Sequence, residues 1–169
     1  MIKVLFVCLG NICRSPAAEA ILRQQVADNK LSNSIEVRSC GLGHWHVGQP
    51  PDLRMQEASL KRGLKLTSIG QQFKLGFFDD YDYILAADQE VLTKLRENVK
   101  NDAQQKKLHL ITEFSSNYAG MDVPDPYYSL DDGFELVLDM LQDSCEGLLR
   151  KIAQNHHKGH KGTQRGGQF

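Results

Sequence analysis

Apolar residues along this chain form two different patterns: short continuous runs, and longer segments in which they recur at helical spacing. The first segment, IKVLFV at residues 2–7, is aliphatic with little alternation, which is typical of a parallel strand buried on both faces. Similar short apolar runs at residues 35–39, 82–88 and 107–111 predict further strands. In the segments between them, apolar residues recur at three- and four-residue spacing, which indicates helices with one buried side.

Helix boundaries are marked by capping residues. Ser15 is expected to cap the first helix, with Pro16 at its first position. Residues 51–63 predict a second helix that ends at a glycine, and Asp88 is expected to cap the helix after the third strand. A continuous apolar stripe over residues 134–152 predicts a long last helix.

Strands that alternate with helices predict an α/β fold. We expect a three-layer sandwich with a four-stranded parallel sheet flanked by helices. Residues 1–153 form the predicted domain, and residues 154–169, rich in Gly, His and basic side chains, are predicted to be a disordered tail. Functional side chains are expected in the loops that leave the carboxyl ends of the strands.

Composition and charge narrow the classes of partner. The 169 residues are 41% hydrophobic, enough for one domain with its own core. A formal net charge of −1 disfavours nucleic acids and anionic membranes as partners. No apolar run approaches the roughly 20 residues needed to span a bilayer, and the start lacks secretory-signal features. We therefore predict a cytoplasmic protein that keeps its cysteines as thiols: Cys8, Cys13, Cys40 and Cys145.

The densest cluster of reactive residues is VCLGNICRSP, residues 7–16, which lies between the first strand and the first helix. A tight loop around Gly10 and a helix amino terminus can direct backbone N–H groups at an oxyanion. Arg14 can bind two of its oxygens. Cationic surroundings favour a thiolate at Cys8, which could attack phosphorus, while Ser15 could donate a hydrogen bond to the sulfur.

Other interpretations of this loop remain open. Cys8 could be a buried packing residue at a strand end. A Walker-type phosphate loop is disfavoured, because GNICRS lacks the Gly-Lys-Ser/Thr ending. A zinc site from Cys8, Cys13 and remote histidines is disfavoured, because the predicted domain offers no second close ligand pair.

VCLGNICRSPAAEA resembles the signature of the low-molecular-weight protein tyrosine phosphatases, Cys-x-Gly-Asn-x-Cys-Arg-Ser-Pro. HWHVGQPPD, YDYILAAD and DVPDPYY are similar to the family's variable loop, third strand and Asp-Pro acid loop. The resemblance implies hydrolysis of phosphotyrosine through a phosphocysteine intermediate, with tyrosine-phosphorylated proteins as substrates. It implies no cofactor and no metal, and we expect a monomer or weak dimer.

The resemblance also implies a role for each site residue. Cys8, Arg14 and Asp125 would be catalytic, with Asp125 as general acid between two prolines. Trp45 and Tyr127, and also Tyr128, would form aromatic walls for the substrate ring. The phosphate would be bound by the loop, in which Asn11 orders its neighbours: Leu9, Gly10, Asn11, Ile12, Cys13, Arg14 and Ser15.

Three details separate this chain from related enzymes. Ile12 stands where protein-arginine phosphatases have a threonine, which favours phosphotyrosine. No cysteine lies between Cys40 and Cys145, whereas thioredoxin-coupled arsenate reductases need further cysteines there. The family's mid-chain histidine, which bonds to the loop asparagine, is absent from TSIGQQF at 67–73, so that bond would come from Ser68 or be missing.

Cys13 has a predicted redox role. It lies in the same loop as Cys8, so a sulfenic acid on Cys8 could be trapped as a Cys8–Cys13 disulfide before irreversible oxidation. A catalytically silent phosphate-binding module is the alternative from another functional class. It is disfavoured because Cys8, Arg14, Ser15 and Asp125 are all present.

Overall fold

The computed structural model describes residues 1–128 and 132–166 of the chain. Its strands and helices are β1 (Ile2–Cys8), α1 (Arg14–Asp28), β2 (Ile35–Gly41), α2 (Leu53–Leu60), α3 (Phe77–Asp80), β3 (Tyr83–Ala86), α4 (Gln89–Arg96), α5 (Asp102–Gln105), β4 (Leu108–Leu110) and α6 (Asp132–Gly166). Short 3₁₀ turns occupy Ile111–Phe114 and Pro126–Tyr128. The sheet has four strands in the order β2-β1-β3-β4, and all neighbouring strands are parallel.

Alternate side chains of β1 point into two separate cores, which confirms the predicted three layers. Val4 and Phe6 pack with residues of α1, α2 and α6 on one face of the sheet. Leu5 and Val7 pack with residues of α3 and α4 on the other face. These four side chains have no exposed surface, which explains the uninterrupted apolar run in the sequence.

The order of the strands creates a crevice beside the end of β1. The chain passes from β1 to β2 on one side, and β3 lies on the other side of β1. Loops that follow β1 and β3 therefore diverge at the carboxyl edge of the sheet, where parallel α/β folds bind their ligands. Cys8 ends β1, and Asp88 comes shortly after the end of β3.

One of the predicted capping interactions is wrong. α1 begins at Arg14, its N-cap residue is Cys13, and no side chain caps it. Ser15 is instead the second residue of α1, so it cannot cap that helix, and its hydroxyl lies 2.9 Å from the Cys8 sulfur. Asp88 does cap α4 as predicted, because its carboxylate accepts the N–H of Val91 at 2.8 Å.

α6 follows the apolar stripe predicted from the sequence, and its bounds reach Gly166. The helix therefore extends past residue 153. The division of the chain into a domain of residues 1–153 and a disordered tail of residues 154–169 stays a prediction. Among the described residues, no helix combines the length and the apolar character that crossing a membrane requires.

Candidate active site

The loop between β1 and α1 is fastened to the chain that follows β2. The N–H of Leu42 donates to the carbonyl of Cys8 at 3.0 Å, and the N–H of Gly43 donates to that of Leu9 at 2.9 Å. A Cβ atom on Gly41 would lie only 2.9 Å from backbone atoms of this loop. Glycine at this position therefore permits the close approach that sets the loop's curvature.

Asn11 joins the loop to β2 and to the mid-chain segment. It is buried and has a φ of 57°, a left-handed conformation that asparagine tolerates better than most residues. Its Nδ2 donates to Ser15 Oγ at 2.8 Å and to Ser39 Oγ at 3.1 Å. Its Oδ1 accepts the backbone N–H of Gln71 at 3.0 Å. A backbone group therefore supplies the bond that was expected from Ser68 or expected to be missing.

The sulfur of Cys8 lies at the bottom of this loop, 3% exposed. It accepts the N–H of Asn11 at 3.2 Å and lies 2.9 Å from Ser15 Oγ. That oxygen accepts a bond from Asn11, and its own hydrogen has two acceptors within reach: the sulfur at 2.9 Å and the carbonyl of Cys40 at the longer distance of 3.3 Å. These contacts fix the position of the sulfur at the bottom of the loop.

Arg14 extends from the start of α1 into the crevice beside β3. One guanidinium nitrogen donates to Asp88 Oδ2 at 2.6 Å and to the carbonyl of Val123 at 3.0 Å, and the other lies 3.6 Å from Asp125 Oδ2. Burial acts to lower the pKa of Arg14, but the negative charges of Cys8 and the two carboxylates outweigh it and raise the pKa above its ordinary value. Arg14 is therefore a fixed cation.

A cleft of about 310 Å³ brings most of the predicted site residues together. Its walls are Cys8, Leu9, Gly10, Ile12, Cys13, Arg14, Trp45, His46, Asp125 and Tyr127. Asp125 lies between two prolines, and its Oδ1 accepts the N–H of Tyr127 at 3.0 Å. The cleft thus holds a thiol, a cation and a partly exposed carboxylate within one small volume.

Aromatic side chains form the outer part of the cleft. Trp45 is 59% exposed, and its ring lies directly against the backbone of Gly43, where a Cβ would overlap it. Tyr127 is 41% exposed, and its ring centroid lies 6.5 Å from that of His46. The side chain of Tyr128, the third predicted wall, lies outside the described residues.

All four cysteines are buried free thiols. Burial, together with the nearby charges of Asp52 and Cys8, raises the pKa of Cys13 far above its ordinary value, so this thiol is neutral. Burial also raises the pKa values of Cys40 and Cys145. The redox role of Cys13 stays a prediction. Within the described part of the chain, no group of three or more His, Cys, Asp or Glu side chains is arranged to hold a metal ion.

Some residues of the site were not predicted from the sequence. Asp88 was expected only to cap α4, although its position after a strand next to β1 is a usable signal for a site residue. His46 lies in the segment HWHVGQPPD, and the sequence indicates no role for it. Ser39 and Gln71 contact the loop from distant parts of the chain, and nothing in their local sequence points to that contact.

Comparison with known proteins agrees with this geometry. The sequence model of the low molecular weight phosphotyrosine protein phosphatase family matches residues 3–158 of this chain. The chain is 43% identical over 155 residues to the low molecular weight protein-tyrosine-phosphatase YfkJ of Bacillus subtilis, covering 90% of this chain and 96% of that protein.

Solved structures show the same similarity. A protein tyrosine phosphatase from Entamoeba histolytica with Hepes in the active site has a TM-score of 0.88 at 36% identity, covering 92% of this chain and 99% of that chain. The Drosophila arginine phosphatase DARP has a TM-score of 0.83 at 34% identity, covering 89% of this chain and 98% of that chain.

Proposed function

The chain belongs to the low molecular weight phosphotyrosine protein phosphatase family, and we propose that it removes phosphate from phosphotyrosine in proteins with Cys8 as nucleophile. It is a protein tyrosine phosphatase, a hydrolase that acts through a cysteine. One observation carries the assignment of residues: Cys8, Arg14 and Asp125 line the same cleft, at the carboxyl edge of the sheet.

The first chemical step transfers the phosphoryl group to the enzyme. The Cys8 thiolate attacks phosphorus, the bond from phosphorus to the tyrosine oxygen breaks, and Asp125 gives its proton to that oxygen. In the second step, water attacks the phosphocysteine while the Asp125 carboxylate takes a proton from it. The phosphorus–sulfur bond breaks, inorganic phosphate leaves, and the thiolate is regenerated.

The loop and Arg14 stabilise the charge that spreads over the phosphoryl oxygens. Backbone N–H groups of a loop held in one shape need no reorganisation when that charge develops. Arg14 offers a planar pair of donors, and Asp88 with the Val123 carbonyl fixes the orientation of that plane. Asn11 and Ser15 contribute indirectly, since they hold the loop and the sulfur in place.

The walls of the cleft favour phosphotyrosine over phosphoarginine. Ile12 supplies an aliphatic surface where a guanidinium group would need a polar partner, and Trp45 and Tyr127 can contact a phenyl ring. Arsenate reduction by a cysteine relay is disfavoured for a separate reason. Such a relay needs further cysteines in the middle of the chain, and no cysteine lies between Cys40 and Cys145.

We propose the cytoplasm as the compartment and a monomer or weak dimer as the state in solution. The four unpaired thiols fit a reducing compartment. Size-exclusion chromatography with light scattering tests the second point, and a stable higher oligomer would contradict it.

Kinetics with matched phosphopeptides test the proposed function. Peptides that carry phosphotyrosine, phosphoserine or phosphoarginine at one position should differ in kcat/KM, with phosphotyrosine highest. Cys8→Ser should remove all hydrolysis while its circular dichroism spectrum stays that of the parent. Preference for phosphoarginine, or activity in Cys8→Ser, would overturn the proposal.

A further inference from the structure

Arg54, in the first turn of α2, has no place in the chemistry described above. Through Asp52, however, it connects the loop that contains Cys8 to the loop that contains Asp125. We propose that Arg54 is a positioning residue that holds the acid loop, residues 122–128, against the phosphate loop, residues 8–15. The inference rests on the proposed function, because it assumes that Asp125 is the general acid.

The connection begins at the phosphate loop. The backbone N–H of Asp52 donates to the carbonyl of Ile12 at 2.9 Å. The Asp52 carboxylate accepts the N–H groups of Arg54 at 2.8 Å and Met55 at 3.3 Å, which caps α2. The amino terminus of α2 is therefore fixed relative to the loop that contains Cys8.

The Arg54 side chain is held by the same carboxylate. Its Nε lies 3.3 Å from Asp52 Oδ1 and one terminal nitrogen lies 3.1 Å from Oδ2, so the two planar groups face each other as a fork. Burial acts to raise the pKa of Asp52, but hydrogen bonds from Arg54 and from the start of α2 lower it below the ordinary value. The pair is therefore fully ionised at neutral pH.

The same terminal nitrogen of Arg54 reaches the acid loop. It donates to the carbonyl oxygen of Tyr127 at 2.9 Å. The guanidinium carbon also lies 5.7 Å from the Tyr127 ring centroid and 5.0 Å from that of Phe134. The N–H of Tyr127 in turn donates to Asp125 Oδ1 at 3.0 Å. Tyr127 thus joins Arg54 to the carboxylate of Asp125 through its two backbone groups.

A role in stability alone explains these contacts poorly. The Arg54 side chain is 48% exposed, and exposed ion pairs contribute little to folding. Its bond to the carbonyl of Tyr127 instead reaches a short 3₁₀ turn, Pro126–Tyr128, that directly follows Asp125. Loss of the Arg54 bond should therefore leave the fold intact and loosen the position of the acid.

A series of aryl phosphates with leaving groups of increasing pKa tests this role. In that series, kcat/KM includes the step in which the phenol leaves, and poor leaving groups need the acid most. We expect Arg54→Gln to lower kcat/KM about 2-fold for 4-nitrophenyl phosphate and about 10-fold for phenyl phosphate. Both losses are smaller than the roughly 10²–10⁴-fold that acid catalysis supplies, because the acid is displaced and not removed. Arg54→Lys, which keeps the charge but not the fork, should fall between parent and Gln.

Arg62→Gln is the matched control. Arg62 links the end of α2 to α6 through Glu135 and Asp139, and among the described residues its hydrogen bonds do not reach the acid loop. Its kcat/KM values should stay those of the parent for every leaving group. A uniform loss across the series in both Arg54 variants, or no loss, would overturn the inference.

Asp125→Asn separates this inference from the proposed function. It should show the steepest dependence on leaving-group pKa of all the variants. If Asp125→Asn shows that steep dependence and the Arg54 variants do not, the positioning role fails and the proposed function stands. If Asp125→Asn shows none, the proposed acid itself is wrong.

Discussion

Asp88→Asn is the change that most directly probes how Arg14, the proposed phosphate-binding residue, is oriented. The Asp88 carboxylate uses both of its oxygens: Oδ1 accepts the N–H of Val91 at the start of α4, and Oδ2 accepts a bond from Arg14 at 2.6 Å. Asparagine has one acceptor oxygen, and its NH₂ group would face either the helix N–H or the guanidinium. One of the two interactions must therefore be lost.

The expected decrease in the free energy of unfolding depends on which of the two interactions is lost. Losing the charge-assisted bond to Arg14, whose side chain is 3% exposed, should cost about 1.5–3 kcal/mol. Losing the cap instead should cost about 1 kcal/mol. For a domain of this size, about 1–3 kcal/mol corresponds to a decrease in Tm of about 2–12 °C. Because Arg14 is then less well oriented, kcat/KM for an aryl phosphate should fall about 10- to 100-fold.

Thermal unfolding followed by circular dichroism measures the first effect, and steady-state kinetics measures the second. Asp122→Asn is a matched control, because Asp122 accepts the N–H of Gln89 at the start of the same helix with one oxygen and does not contact Arg14. This control should change the free energy of unfolding by less than about 0.5 kcal/mol. An Asp88→Asn protein with the Tm and kcat/KM of the parent would refute this account of Arg14.

Three further changes test other parts of the structure. Burial raises the pKa of Glu19, so the parent loses stability as pH rises from about 4.3, the ordinary glutamate value, through that raised pKa. The Tm of Glu19→Gln relative to the parent should therefore increase with pH over that interval, and a constant difference would contradict this. After peroxide and then dithiothreitol, Cys13→Ser should recover less activity than the parent, and equal recovery would contradict the protective disulfide with Cys8. Gly41→Ala should displace the phosphate loop, because the added Cβ would lie 2.9 Å from its backbone. Inhibition by inorganic phosphate should then weaken about 10-fold. Unchanged inhibition would show that the loop tolerates the methyl group.

The sequence was informative wherever structure follows from local patterns. Buried strands such as β1 leave apolar runs, and the long stripe of α6 has a helical period, so both were predicted correctly. The one-turn helices α3 and α5 were not predicted, because four residues are too few to show a period.

Contacts between distant residues had no such local signal. Arg14 and Asp88 are 74 positions apart, and only the strand order brings them together. Ser15 shows the opposite failure, since its local pattern predicted a cap. In the fold, its hydroxyl contacts the Cys8 sulfur and accepts a bond from Asn11.

During turnover, Cys8 is expected to carry the phosphoryl group. Acid quenching of the enzyme within milliseconds of mixing with 4-nitrophenyl phosphate, followed by peptide mass spectrometry, tests it most directly. We expect one phosphoryl group on the peptide that contains Cys8, attached to the sulfur. The corresponding peptide of Cys8→Ser should carry none. A phosphoryl group on another residue, or turnover with no phosphoenzyme at any quench time, would contradict it.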